Sequence, residues 1–544
     1  MLRSVVDDRG LRVARRPSAE EISSISSRER TRAVLVGELA PGASAPQALI
    51  ACVRVLMRHG NVSEARSLTR AARGMPRLRE AGRACAAVIA VTQGHFGAAE
   101  ALLRAMPRET AMGLVPAELV AVELATDRHA GVATFEALLG GSGDLTAETW
   151  LTLARQAFAR GELELCEQAL GRIEAAGATP PEDLAPETRW LKRWTALARA
   201  ERKPEPIPEG QVAMAVLDYK LPDYRRASAN VGDYLQTVAS LGHLVRHQEL
   251  RFHGDPSLVA QLSTLQARVR PDRRLPGIKR EVTVVPVNRD ASSLDAIPDG
   301  TWMLAFGWYM HGWFQVRYDF PFHPHLRPLF VSFHVNRPRA LSAEGVAYLR
   351  KHAPIGCRDW GTVRRLLELE IPAFFSGCIT STIDLLFPAE PPHPEADAPV
   401  ALVDLPPDAE PPDGSRSARL QHANLAVREA ALPDNLGRAV RMLEAYRRDF
   451  SGVVTSRLHG YLPLRALGVD VRFCPQREDD ERFDGLVGID GAGFAAMEEG
   501  IRVKLEVVLS SIVRGDDEQA VRAAWREICA PDVEAARSRS PTPG

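Results

Sequence analysis

Apolar and polar positions along the chain follow one period before residue 205 and another after it. From about residue 45 to 200 the sequence is rich in Ala and Leu at helical spacing, and a helix end followed by a turn recurs around Gly60, Gly94, Arg128 and Gly161. These positions are 34, 34 and 33 residues apart. In such an array the apolar face of each helix pair is covered only by the next pair. The pattern predicts a solenoid of helix hairpins.

A period of 34 residues is typical of tetratricopeptide repeats. We therefore predict tetratricopeptide-like helical repeats over 45–204, with Arg128 in place of the turn glycine in a degenerate third unit. The array either docks a protein partner on its concave face or serves as a stabilising shoulder, and the sequence leaves both open. Residues 1–44 are predicted to form a flexible tail, and the three prolines of 201–210 predict a linker.

After this linker, short apolar runs alternate with amphipathic stretches. Continuous apolar strands are buried on both faces, and their alternation with helices predicts mostly parallel α/β sheets. We predict a first α/β lobe at 211–388, a second at 398–515, and a C-terminal helix and tail at 516–544, with the amphipathic helical pattern running from Met497 to Ser538. The proline-rich segment 389–415 is predicted to be a second linker whose VALVDL stretch forms an edge strand. The main strand candidates are VAMAVLDY (212–219), EVTVVPVN (281–288), TWMLAF (301–306), PLFVSFHV (328–335), AFFSGC (373–378) and SGVVTS (451–456).

Composition narrows the classes of function. The 544 residues carry 68 Lys plus Arg against 69 Asp plus Glu, so the formal net charge of −1 provides no global field for a nucleic acid, and no local basic patch is evident. Neither a membrane-spanning run nor a secretory signal is recognised, and the seven Cys have no CxxC spacing. These features predict a cytoplasmic protein with free thiols and no metal site.

Two candidate site residues, Arg457 and His459, directly follow the predicted strand SGVVTS. Because proline is tolerated best in a first helical turn, Pro463 predicts that the next helix begins near Gly460, with both side chains at its amino end. An Arg there can bind phosphate or carboxylate, and a His can carry protons near neutral pH. The alternative is a capping Arg and a packed His.

Other candidates also lie where strands end. Arg358 precedes Asp359, a natural helix cap, and can bind an anion or pair with that Asp. In the loop SANVGDYLQT, Asn230 and Asp233 offer polar contacts and Gly232 permits a tight turn. The remaining candidates are His311, between two Trp as a possible acceptor contact or part of a core edge; His334, expected to be a satisfied core residue; and Cys357 and Cys378, which have no evident base partner.

Three blocks in this order resemble the polysaccharide pyruvyl transferase family: VLDYKLPDYRRASANVGDYLQT, PIGCRDWGTVRRLLELEIPAFFSGC and VVTSRLHGYLPLRALGVDV. The resemblance covers residues 211–515 and implies two Rossmann-like lobes in a GT-B-like arrangement. It also implies transfer of a pyruvyl group from phosphoenolpyruvate to two sugar hydroxyls, forming a ketal in polysaccharide biosynthesis. By position in these blocks, His459 is the catalytic acid or base and Arg358 a donor ligand. FGWYMHGW stands where many members have a glycine-rich loop, so acceptor recognition does not carry over.

The sequence therefore predicts a transferase with an N-terminal α-helical solenoid and two Rossmann-like α/β lobes. Its expected co-substrate is phosphoenolpyruvate, its acceptor a sugar or glycan, and no further cofactor is expected. One alternative is a GT-B-like glycosyltransferase that uses a nucleotide sugar. Another is a non-catalytic interaction protein that acts through the helical repeats.

Overall fold

The structure is a computed structural model that describes residues 5–6, 12–13, 44–141, 145–175, 184–200, 203–309, 311–336, 341–390, 394–395, 397–411, 414–477 and 479–539. The chain divides into two compact units. One comprises Met1–Ala200 with Gly312–Arg317, and the other Glu201–His311 with Tyr318–Gly544. The predicted tail at 1–44 lies outside the described residues, except for Ser44 and two short paired strands, Val5–Val6 and Arg12–Val13.

The first unit is helical. Among its described residues, consecutive helices pack as neighbours and bury Ala, Leu and Val side chains between them. The helices are α1 (Ala45–Arg58), α2 (Val62–Arg73), α3 (Arg79–Thr92), α4 (Phe96–Arg104), α5 (Arg108–Leu114), α6 (Pro116–Thr126), α7 (Arg128–Gly140), α8 (Ala147–Ala159), α9 (Leu163–Ala175) and α10 (Ala185–Arg199), with a 3-10 turn at Pro76–Leu78.

The repeating turns behave as the 34-residue period predicts. Gly60, Gly94 and Gly161 separate the helices of three hairpins with φ of 79°, 71° and 79°, a left-handed conformation that favours glycine. At the degenerate position, Asp127 instead accepts a hydrogen bond from the Ala130 backbone and caps α7. The tetratricopeptide-like helical region is confirmed, with α5 as an additional short helix.

A six-residue segment distant in sequence completes the helical unit. Trp313 is fully buried, and its ring centroid lies 6.0 Å from that of Phe158 on α8. The Arg317 guanidinium lies 4.8 Å from the Trp313 ring centroid, a cation–π contact. Of the two Trp that flank His311, this one is therefore a core residue of the helical unit.

The first α/β lobe contains a parallel seven-stranded sheet in the order β2-β3-β1-β4-β5-β6-β7. Its central strands are buried on both faces, which explains their continuous apolar runs. The strands are β1 (Val212–Asp218), β2 (Leu250–His253), β3 (Arg280–Asn288), β4 (Thr301–Trp308), β5 (Leu326–His334), β6 (Ile355–Cys357) and β7 (Ala373–Phe375). The helices are α11 (Val231–Val245), α12 (Pro256–Arg268), α13 (Ala343–Lys351) and α14 (Trp360–Glu368), with 3-10 helices at Pro271–Arg273, Ser292–Leu294 and Ile379–Leu386.

The second lobe contains a parallel four-stranded sheet in the order β9-β8-β10-β11. VALVDL was predicted to form an edge strand, and this prediction is wrong. The strand that it forms, β8 (Val400–Val403), lies between β9 (Ser417–Leu420) and β10 (Gly452–Thr455). The covering strand β9 is polar and half exposed, so it shows no apolar run in the sequence. The elements are β8 (Val400–Val403), β9 (Ser417–Leu420), α15 (Leu425–Glu429), α16 (Leu432–Asp449), β10 (Gly452–Thr455), α17 (Leu458–Ala466) and β11 (Val471–Phe473), with a 3-10 helix at Glu481–Phe483.

Two long helices, α18 (Gly491–Arg514) and α19 (Glu518–Arg539), follow the second lobe and return to the first. The amphipathic helical pattern predicted from Met497 to Ser538 corresponds to these two helices, which are divided at Gly515, where φ is 85° and α18 ends. On α19 the indole of Trp525 donates to the Pro354 carbonyl at 3.0 Å. Two parallel α/β lobes joined by returning helices form a GT-B-like arrangement, and the predicted fold class is confirmed.

None of the helices in the described part of the chain has the length and apolar character needed to cross a bilayer.

Candidate functional site

A cavity of about 480 Å³ lies between the two α/β lobes, at the carboxyl ends of their strands. Ligands bind at this edge of parallel sheets because loops and helix amino ends converge there. Six predicted site residues line it: Arg358, Arg457, His459, Asn230, Asp233 and His311. The structure therefore brings together side chains from both lobes that the sequence identified one by one.

Arginine dominates the charge of this cavity. Eight arginines line it, against three aspartates. No local basic patch was evident in the sequence because these arginines come from separate segments of both lobes. The cavity is suited to an anionic ligand. The charged lining residues are Arg225, Arg226, Arg289, Arg358, Arg428, Arg457, Arg477 and Arg482, with Asp233, Asp290 and Asp480.

Arg358 lies deepest among the predicted ligands, where β6 ends. Its residue surface is only 5% exposed, its backbone N–H donates to Phe333, and its Nε has no hydrogen-bond partner. The alternative interpretation paired it with Asp359, but Nε lies 4.0 Å from Oδ2 of that residue. Burial lowers the pKa of Arg358. Protein groups therefore offset little of the free-energy cost of burying this guanidinium in the cavity wall.

The carboxylate of Asp359 accepts hydrogen bonds from Thr362 and His334. Its Oδ1 accepts hydrogen bonds from the backbone and hydroxyl of Thr362 at 2.8 and 2.9 Å, which caps α14. Its Oδ2 accepts from Nδ1 of His334 at 2.5 Å. His334 was expected to be a core residue whose ring nitrogens are both hydrogen-bonded. Nδ1 is hydrogen-bonded, but Nε2 is buried and has no hydrogen-bond partner.

His459 lies one residue inside α17. The helix begins at Leu458, with Arg457 as its N-cap residue, so the predicted start near Gly460 is wrong and Pro463 lies within the helix. Nδ1 of His459 lies 3.8 Å from Oδ1 of Asp233 in the first lobe. Burial lowers the pKa of His459, but the Asp233 carboxylate and the Cys378 thiol outweigh burial and leave the pKa above its usual value.

Asp233 is itself fixed by the first-lobe loop. Its Oδ2 accepts a hydrogen bond from the Ser228 hydroxyl at 2.5 Å. Asn230 caps α11 by accepting from the Gly232 backbone at 3.0 Å. Gly232 has helical geometry, so its predicted role in a tight turn is wrong. A Cβ on Gly232 would lie 3.0 Å from the Asn230 side chain and 3.4 Å from Nδ1 of His422, so its small size gives these groups room.

The side chain of Arg457, the N-cap residue of α17, makes a salt bridge and no capping hydrogen bond. Its Nε donates to Oδ2 of Asp404 at 2.8 Å, and its side chain is 43% exposed toward the cavity. A bound anion can share this guanidinium with Asp404.

His422 connects the two lobes, and sequence reasoning missed it. Its carbonyl accepts from Val231 N of the first lobe at 3.1 Å, and its Nε2 lies 2.9 Å from the Tyr446 hydroxyl. Nδ1 is buried without a partner. A Cβ on Gly460 would lie 3.3 Å from the ring, so the ring packs against the first turns of both α11 and α17. No sequence signal marks His422, because its neighbours come from distant segments.

Replacing His422 with Gln is expected to weaken the acid sensitivity of the fold. Burial lowers the pKa of His422 to about 4, so between pH 6.5 and 4 the unfolded ring binds a proton that the folded ring does not. Stability supplied by the neutral ring is present above pH 6.5 and is lost as the pH falls toward 4. The wild type should lose about 2 kcal/mol more than His422→Gln between pH 7 and 4.5, measured by urea unfolding. Equal losses in both proteins would contradict this role, and exposed His253→Gln is the control.

His311 lies on the first-lobe side of the cavity. Its ring centroid is 4.8 Å from that of Trp308 in an edge contact, and burial lowers the pKa of His311. Nearby, Gln236 is 2% exposed, and its Oε1 has no hydrogen-bond partner. Sequence reasoning missed Gln236 because it looks like any polar residue of an amphipathic helix.

The two cysteines at strand ends differ. Burial raises the pKa of the Cys357 thiol, whereas His459 and Arg358 together overcome burial at Cys378 and lower its pKa to about 7. Sγ of Cys378 lies 3.2 Å from the Thr380 hydroxyl, and His459 acts on the thiol from the other lobe through its charge. Within the described residues, no group of three or more His, Cys, Asp or Glu side chains is placed to hold a metal ion.

Comparisons with known proteins found few similarities. No family model matches the chain. No curated protein matches it. Among solved structures, a mutant O-GlcNAc transferase of Thermobaculum terrenum is similar at 12% identity, over 89% of this chain and 98% of that chain, with a TM-score of 0.20. Such a low TM-score supports no inference about function.

Proposed function

We propose that this protein is a transferase that moves a group from a phosphate-bearing donor to a hydroxyl of a sugar or glycan. The observation that carries the proposal is the buried Arg358 guanidinium, whose Nε makes no hydrogen bond and lies 4.0 Å from Oδ2 of Asp359, and which lines the same cavity as the His459–Asp233 pair. A buried cation whose only ion pair is long is costly in the free protein, and a bound anion reduces that cost.

The side chains have separate roles in this proposal. Arg358 binds the donor phosphate, and Arg457 contributes a second guanidinium from the opposite lobe. Asp233 orients His459, which transfers a proton during the reaction. The pKa of His459 lies above its usual value, which favours the protonated ring, and in this proposal His459 acts first as an acid.

Glycosyl transfer from a nucleotide sugar is the reaction that the cavity dimensions favour. A volume of about 480 Å³ exceeds what a three-carbon donor fills, and Trp308 and Phe483 supply aromatic surface in addition to the arginines. In this reaction the arginines hold the diphosphate, and His459 protonates the departing phosphate oxygen or accepts the proton of the attacking hydroxyl.

Pyruvyl transfer from phosphoenolpyruvate is the second candidate, favoured by the raised pKa of His459 and by the three sequence blocks. Here His459 donates a proton to the methylene carbon, one sugar oxygen bonds to the adjacent carbon, and a second hydroxyl displaces phosphate to close the ketal. Both hydroxyl protons pass to bases. Transfer of a proton to carbon needs an acid at the site, and the position of His459 meets that requirement.

Thermal-shift titrations of the wild type with phosphoenolpyruvate, UDP-glucose, GDP-mannose and pyrophosphate test the proposal. We expect one donor to stabilise the protein at lower concentration than pyrophosphate does. Preference for a nucleotide sugar supports glycosyl transfer, and preference for phosphoenolpyruvate supports pyruvyl transfer. No stabilisation by any of the four compounds at millimolar concentration would contradict the proposed function and favour the non-catalytic alternative. Absence of a further cofactor, cytoplasmic location and a partner for the repeats stay predictions.

A further inference from the structure

Part of the cavity lining is built where three neighbouring strands of the first lobe end. Tyr219 follows β1, Arg289 follows β3, and Trp308 is the last residue of β4. Because β1 pairs with both β3 and β4, the carboxyl ends of these strands meet at one edge of the sheet. Gln236 of α11 lines the cavity with them. We call these four residues the first-lobe wall.

Arg289 is held in a fixed position on this wall. Its Nε and Nη2 donate to Oδ2 of Asp290 at 3.1 and 2.6 Å, and both side chains are buried. The guanidinium carbon also lies 4.9 and 5.4 Å from the ring centroids of Tyr219 and Tyr309. Asp290 therefore offsets the charge of Arg289 at close range, whereas the ion pair of Arg358 is long, at 4.0 Å.

The first-lobe wall carries unpaired polar atoms of opposite kinds. Within the described part of the chain, Oε1 of Gln236 and Nε1 of Trp308 are buried without a hydrogen-bond partner. The first is an acceptor and the second a donor. Gln236 is 98% buried, so solvent compensates little for the missing bond. A ligand group that supplies these bonds removes a free-energy cost that the free protein carries.

Gly307 keeps the space beside these groups open. It lies at a register shift between β4 and β5 and adopts a φ of 91°, a conformation that favours glycine. A Cβ at this position would lie 3.0 Å from Oε1 of Gln236 and 3.1 Å from Nη1 of Arg289. An acceptor and a charged donor therefore border the same small space, next to a backbone position that carries no side chain.

A hydroxyl is the group that matches these atoms, because it both donates and accepts. It can donate to Oε1 of Gln236 and accept from Nη1 of Arg289 or Nε1 of Trp308. A phosphate oxygen at neutral pH has no proton for Oε1, and an ammonium group cannot accept from an N–H. The Trp308 and His311 rings, with centroids 4.8 Å apart, add apolar surface that can pack against the C–H groups of a sugar.

We propose that Gln236 is a specificity-determining residue that accepts a hydrogen bond from a sugar hydroxyl, with Arg289 and Trp308 as donors to the same sugar unit. The assignment rests on the proposed function, in which Arg358 binds the phosphate, and it adds a second part of the site that recognises hydroxyls. The sugar unit belongs either to the acceptor or to a nucleotide-sugar donor, because the chemistry of recognition is the same for both.

Sugar binding by Gln236→Met tests the assignment, because methionine has a similar length but no acceptor oxygen. Ligand-detected NMR with D-glucose, D-galactose and D-mannose tests the acceptor as the source, and calorimetric titration with UDP-glucose and UDP tests the donor sugar. We expect Gln236→Met to weaken binding of the sugar probes about 3- to 10-fold and to leave pyrophosphate binding unchanged. Gln261→Met is the matched control, because Gln261 is half-buried in the same lobe outside the cavity.

The source of the sugar follows from which probe is affected. Weaker binding of a monosaccharide assigns the first-lobe wall to the acceptor, and loss of the preference for UDP-glucose over UDP assigns it to the donor sugar. The inference would be overturned if the wild type bound none of the sugar probes, or if Gln236→Met bound them as the wild type does. An equal loss of sugar and pyrophosphate binding would also overturn it, because Gln236 would then serve the fold of the whole cavity.

Deoxy analogues decide the question with the wild type alone if Gln236→Met does not fold. One of the 2-, 3-, 4- and 6-deoxy forms of the best sugar probe should bind about 10-fold or more weakly than the parent, because it leaves the polar atoms of the wall unpaired. Equal affinity for all four forms would overturn the inference. Failure of the proposed function gives a different pattern, with monosaccharide binding that depends on Gln236 but no stabilisation by any phosphate-bearing compound.

Discussion

Substitution of Arg358 by Met is expected to make the free protein more stable while it removes donor binding. The guanidinium is buried, its Nε has no hydrogen bond, and the nearest carboxylate oxygen lies 4.0 Å away. Replacement by an apolar side chain of similar length relieves that cost and should raise the free energy of unfolding by about 1–3 kcal/mol. Loss of the charge–phosphate contact should weaken donor affinity by about 2–5 kcal/mol, which is roughly 30-fold to several thousand-fold.

Opposite effects of one substitution on stability and binding distinguish a ligand-binding cation from a structural one. Urea unfolding measures the first effect, and calorimetric titration with the preferred donor measures the second. Arg350→Met is the matched control, because that arginine lies on the surface of the same lobe outside the cavity. A destabilised Arg358→Met protein that still binds donor normally would show that Arg358 serves the fold.

Substitution of His459 by Gln is expected to lower kcat by about 10²- to 10⁴-fold and to change donor affinity only a few-fold. The ring carries the proton, whereas the arginines supply the anion contacts. The rate is measured by using phosphorus NMR to monitor the release of phosphate or nucleoside diphosphate.

Proton transfer by His459 also predicts how the activity depends on pH. Because the protonated ring acts first and its pKa lies above the usual value, wild-type activity should fall as the pH rises through that raised pKa. The residual activity of His459→Gln should lack this alkaline limb. Asp233→Asn should lower the pH at which activity falls, because the carboxylate no longer favours the charged ring. A His459→Gln protein with an unchanged rate and pH profile would exclude His459 from proton transfer.

Repeated local patterns explain why much of the fold is predictable. The turn glycines at Gly60, Gly94 and Gly161 meet a backbone requirement that recurs with a repeat of 33 or 34 residues, and continuous apolar strands follow from burial on both faces. The missed strands β2 and β9 are short and have exposed alternate positions, so they resemble loops. The order of strands in each sheet depends on long-range pairing, which no local pattern encodes.

Candidate site residues were predictable where a local rule applied. Arg358 and His459 stand directly after buried strands, where parallel sheets place ligands. His422 and Gln236 obey no local rule. Their surroundings arise when segments distant in the sequence pack together, and that packing also leaves Nε of Arg358 without a hydrogen bond.

The most direct test of the account is a crystal structure of the protein with its preferred donor bound. We expect a donor phosphate oxygen to lie about 3 Å from the Arg358 guanidinium and His459 to face the reacting end of the donor. A donor bound elsewhere, or a phosphate that contacts other arginines and not Arg358, would contradict the proposed site.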